Sequence, residues 1–189
     1  MFIIMLFGVC LHSNQAYAQR CLPGMRGIQF TGGLSDNMRW KSGDGFGYHA
    51  GIAVSTYTKN AHHWVIGAEY LEKRYDYRGN LYPASQFTGE GGYYLNILSD
   101  RKKTFFAALG LSAIAGYETV NWGESRLPDG SLLTDGDHFI YGGALTLELS
   151  AYLTDKVVLL VNGRQRMLFG GDCGRFHSQI GVGVRFMIR

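Results

Sequence analysis

Residues 176–189 alternate strictly. Phe176, Ser178, Ile180, Val182, Val184, Phe186 and Ile188 fall on one face of an extended strand, and Arg175, His177, Gln179, Gly181, Gly183, Arg185 and Met187 on the other. One face is apolar; the other is polar or small. Strands of globular proteins usually run about five or six residues, whereas a tilted strand needs about 9–11 residues to cross the hydrocarbon layer of a bilayer. A period of two sustained over this stretch therefore predicts a membrane-crossing strand. The competing reading of the stretch alone is the edge strand of a soluble sandwich.

The same alternation recurs upstream in residues 25–34, 46–57, 63–75, 86–98, 104–120, 138–152 and 157–169. The connections between these segments, 35–45, 58–62, 76–85, 99–103, 121–137 and 153–156, alternate long and short, and a compact glycine-rich connection, 170–174, precedes the last strand. Outer-membrane barrels sort their loops in this way, and an even strand count returns both termini to the short-turn side. A soluble sandwich or lipocalin has no reason to do so, and a soluble barrel would bury its apolar faces. Here those faces carry aromatics towards their ends, among them Tyr48, Trp64, Tyr70, Phe105, Tyr117, Phe139 and Tyr141, as interfacial girdles require. The glycine content of 27 residues against only three prolines also favours strands over helices. The predicted fold is all-β, an eight-stranded antiparallel up-and-down transmembrane β-barrel of outer-membrane type.

Residues 1–18 read as a signal peptide. Phe2 to Leu11 supply the apolar core, and Ala16-Tyr17-Ala18 fits the small-x-small cleavage rule. The mature chain is then a single barrel domain, 19–189, exported to the outer membrane. No later stretch holds twenty unbroken apolar residues, so no transmembrane helix is expected. A net charge of +3 without a dense basic stripe argues against a nucleic-acid-binding surface. Cys21 and Cys173 remain after cleavage, free or bridged; export permits a bridge, but the proposed fold puts them at opposite ends. Their number and spacing offer no metal site, and no cofactor is expected.

With the apolar faces outward, Glu69, Glu90, Glu148, Lys73, Arg164, Arg166, Arg185, His49 and His177 face a narrow lumen. An eight-stranded barrel encloses little more than its own side chains, so these groups are expected to neutralise one another in a salt-bridge network. The functional alternative, an ion path, would need a continuous water-filled route. Catalysis fits less well. His177 and Ser178 are adjacent and so point to opposite faces, which separates a would-be base and nucleophile. Glu90 has no partner at a defined spacing, and the glycines of residues 89–92 lack the lysine of a phosphate-binding loop. The chain is expected not to be an enzyme.

Further motifs are the run from Ala16 through Cys21-Leu22-Pro23-Gly24-Met25, with Gly27-Ile28 and Gly32-Gly33 after it. Gly89-Glu90-Gly91-Gly92-Tyr93-Tyr94 follows in the fourth strand, and Arg175-Phe176-His177 with Gly181-Val182-Gly183 at the end. Through these the chain resembles, over nearly its full length, the TraO family of conjugal transfer proteins encoded on Bacteroides-type conjugative transposons. The resemblance implies an outer-membrane anchor or accessory of a type IV-like mating apparatus. Its partners would be other mating-apparatus proteins of the envelope and outer membrane lipids, with no direct nucleic acid contact. The alternative is a small general outer-membrane barrel for adhesion or envelope stability. The segment 121–137, carrying Trp122, Glu124 and Arg126, is the expected partner-contact loop, because loops vary without disturbing the wall.

Overall fold

A computed structural model describes residues 20–35, 47–77, 80–120, 138–170 and 176–188. The strands are β1 (Arg26–Ser35), β2 (Gly47–Tyr57), β3 (His63–Tyr77), β4 (Asn80–Ser99), β5 (Phe105–Val120), β6 (His138–Tyr152), β7 (Val157–Phe169) and β8 (Phe176–Ile188). Each pairs antiparallel with its neighbour in sequence, and β1 pairs with β8, closing the barrel. The pairing register runs from Ser35 through Gln179, Arg164, Thr146, Gly110, Tyr94, His63 and Tyr57 back to β1 at Met25. That stagger of about ten residues is the shear that tilts the strands of a closed barrel.

The alternation sorts side chains as the sequence predicts. Outward residues such as Leu111, at 70% exposure, and Phe139, Phe176, Ile66 and Val182 leave an apolar belt around the whole wall. A water-soluble monomer rarely shows so continuous an apolar surface. Along one register row of the outer wall, Tyr70, Phe87, Tyr117 and Phe139 stand side by side on β3 to β6. Nearer the short turns Trp64 packs on Tyr93, with ring centroids 4.8 Å apart. The two rows are the aromatic girdles of a bilayer-spanning barrel.

One connection is shorter than expected. Residues 76–85 read as a loop from Arg78-Gly79-Asn80 and Pro83, but β3 continues to Tyr77 and β4 begins at Asn80, with Tyr75 opposite Tyr82 and Arg74 opposite Pro83. The described β4–β5 pairing runs to Ala84 opposite Val120. The connections 36–46, 121–137 and 171–175 lie outside the described residues, as do Trp122, Glu124, Arg126, Cys173 and the leader.

Candidate functional site

The inward faces hold two ionic layers. In the first, Glu69 of β3 accepts from three side chains on β7 and β8. Arg164 Nη1 lies 3.1 Å from Oε2, Arg166 Nη1 2.8 Å from Oε1, and Gln179 Nε2 2.9 Å from Oε1. Arg164 also clamps Glu90, with Nη2 to Oε1 at 3.1 Å and Nη1 to Oε2 at 3.0 Å, and donates from Nε to Thr146 Oγ1. Arg166 completes its fork on Thr88 Oγ1. Two guanidinium groups thus answer two carboxylates, and Thr88, Thr146 and Gln179 add neutral hydroxyl and amide contacts. That is the condition for burying charge without a large desolvation loss.

The second layer lies nearer the short turns. Arg185, 0% exposed, donates Nη2 to both oxygens of Glu148 at 2.9 Å, Nε and Nη2 to Gln29 Oε1, and Nη1 to Tyr57 Oη at 2.7 Å. His63 Nε2 stands 3.5 Å from Glu148 Oε1, and its ring lies between those of Tyr57 and Tyr94. The structure brings Glu69, Glu90, Arg164 and Arg166 into one cluster and Glu148 and Arg185 into another. Lys73 lies half-buried beyond Leu71, towards the opposite end from the second layer. Gln86 donates to Glu118 at 2.7 Å, a buried pair that the sequence reading did not single out. Gln29, Gln179, His63, Tyr57 and Tyr94 likewise join these layers without having been marked as lumen residues by the sequence.

Below the second layer the lumen is filled with apolar side chains. Tyr57, Phe106, Tyr152, Val158, Leu160 and Met187 pack around Cys21, with Met25 and Ala61 against them. The chain before β1 makes this seal. Arg20 bonds Asp155 at 3.1 Å, reaches the carbonyl of Lys103, and lies over the Tyr152 ring, and Gly24 N–H donates to the Tyr57 carbonyl. Cys21 Sγ lies 3.0 Å from Tyr152 Oη, and burial pushes the thiol up from its ordinary pKa. Cys21 is a free, buried cysteine.

His177 is buried inside the barrel, whereas Ser178 Oγ donates to Gln165 Oε1 on the outer wall at 2.6 Å, so the two face opposite sides. Among the described residues no group of three or more His, Cys, Asp or Glu side chains is placed to hold a metal ion. A shallow hollow lies on the outer wall, where Ala50, Ala68 and Gly89 meet between Ile52, Tyr70 and Phe87.

The family model described as "Conjugative transposon protein TraO" matches residues 22–188. No curated protein matches the chain. Among solved structures it is similar to Neisserial surface protein A, at 14% identity and a TM-score of 0.56, over 86% of this chain and 95% of that one. It is also similar to Ail of Yersinia pestis in complex with the heparin analogue sucrose octasulfate, at 10% identity and a TM-score of 0.52, over 88% of this chain and 100% of that one. The N-terminal β-barrel domain of Pseudomonas aeruginosa OprF matches at 10% identity and a TM-score of 0.51, over 87% and 99% of the two chains. At these identities the likeness is one of fold, the eight-stranded outer-membrane barrel.

Proposed function

The chain belongs to the TraO family of conjugative transposon proteins, and from that premise we propose that it is an outer-membrane anchor or accessory of a type IV-like mating apparatus. The observation that carries the reading is the family match over residues 22–188 in a chain whose wall is built for lipid. The contents of the lumen support an anchoring role over a conduit. Two ionic layers and an apolar seal occupy it, so the monomer anchors or braces the apparatus and does not conduct DNA. Its partners on this reading are other envelope proteins of the apparatus and the outer membrane lipids, and it makes no direct contact with nucleic acid and does no chemistry of its own. Residues 1–18 serve as the export signal.

The loop 121–137 carries the contact to the apparatus. Replacing it by a short Gly/Ser turn is expected to leave the barrel folded, read as the usual shift in gel mobility between unheated and heated samples. Transfer of the element should fall to the level of a donor without the protein. Transfer at the wild-type level, with the barrel present in the outer membrane fraction, would remove the loop from the mechanism.

A further inference from the structure

The short-turn end carries a ring of cations. Arg26 at the base of β1, Lys59 between β2 and β3, Arg101, Lys102 and Lys103 between β4 and β5, and Lys156 between β6 and β7 are all exposed. Among the described residues this end carries two acids, Asp100 and Asp155, against the six cations. Asp155 accepts from Arg20 at 3.1 Å, and Asp100 Oδ1 accepts from the Arg101 backbone N–H at 2.7 Å. The surface potential of this face is therefore positive, and the apolar seal behind it makes the face solid.

Two features identify what the ring meets. The cations are spread around the circumference, at one strand base and three successive turns, instead of being gathered on one side as a single protein partner would require. They also stand directly at the border of the lipid-facing belt. Leu98, at 68% exposure, lies three residues from Arg101; Phe105 lies two from Lys103, and Leu153 and Val157 flank Lys156. An apolar belt ending on cations within one to three residues puts the charges at the depth of headgroup phosphates, with the aliphatic stems still on apolar surface. We infer that this ring binds the headgroups of anionic phospholipids in the leaflet at the short-turn end, fixing the depth and direction of the barrel. The inference rests on the membrane-embedded reading above and on none of the conjugation argument.

The test reconstitutes the purified barrel in nanodiscs of mixed phosphatidylcholine and phosphatidylglycerol, recovers it in mild detergent, and measures the retained lipids by mass spectrometry. A cation near a membrane surface contributes about 1 kcal/mol of attraction, so the retained ratio of phosphatidylglycerol to phosphatidylcholine is expected to exceed the input ratio by about fivefold or more. The variant R101Q/K102Q/K103Q/K156Q, which leaves both ionic layers and the Arg20–Asp155 contact intact, should retain lipids near the input ratio while keeping its heat-dependent gel shift. Equal enrichment in the variant, or none in the native barrel, would overturn the inference alone. So would salt-sensitive binding of a polyglutamate peptide without lipid selectivity, which would assign the face to an acidic protein. A barrel that does not enter the nanodisc would overturn both this inference and the membrane reading.

Discussion

Replacing Arg185 with methionine is expected to cost the barrel about 3–5 kcal/mol of stability, the usual loss when one partner of a buried ion pair is removed. The side chain is wholly buried and serves three acceptors, Glu148, Gln29 and Tyr57. Methionine fills much of its length but leaves the Glu148 carboxylate in the lumen without its guanidinium partner, with His63 Nε2 3.5 Å away. The loss is therefore dominated by a stranded charge and not by lost packing. The double variant R185M/E148L removes both charges and should recover most of it, because a buried pair often contributes little beyond its apolar equivalent. Urea unfolding in detergent micelles, followed by tryptophan fluorescence, measures both. A single variant as stable as the native barrel would mean that water reaches Glu148 and that the lumen is not sealed.

The second large effect is expected at Gly33. It pairs with Gly181 across β1 and β8, and the bare pair lets the imidazole of His49 lie over both strands. A Cβ at position 33 would stand 2.1 Å from the Ile180 carbonyl oxygen, 2.5 Å from Gly181 Cα and 2.8 Å from His49 Cε1. Two of these neighbours are backbone and cannot rotate away, so Gly33→Ala should cost about 1–3 kcal/mol, the range for overpacking. Gly91, with nothing within 4 Å of a built Cβ, is the control. Gly91→Ala should be neutral or slightly stabilising, since alanine restricts the unfolded chain more than glycine does. Equal midpoints for the two variants in the urea titration would contradict this account of the wall.

The faces were legible because side-chain parity is independent of register. Once the apolar residues of a strand are set outward, Glu69, Glu90, Arg164, Arg166, Arg185 and Glu148 must turn inward, wherever the neighbouring strand happens to align. The pairing among them was not legible. Glu69 meets Arg166 and Gln179 from across the barrel, and the height at which they meet depends on the shear, which no single strand encodes. The neutral members of the layers, Gln29, Gln179, Tyr57 and Thr88, carry no charge to draw attention and are recognised only once the charges they complete are placed. The seal formed by Arg20 to Met25 lies in an aperiodic segment, where alternation gives no information. The β3–β4 hairpin was misread because glycine and proline mark a loop only where the backbone needs their conformations. Pro83 here sits within β4, opposite Arg74.

The most direct test of the central claim is the frequency with which the mobile element passes to recipients from a donor lacking this gene, with and without a restored plasmid-borne copy. The account predicts that transfer is lost in the deletion and returns with the restored copy. Unchanged transfer from the deleted donor would contradict a place in the mating apparatus and leave a general outer-membrane barrel.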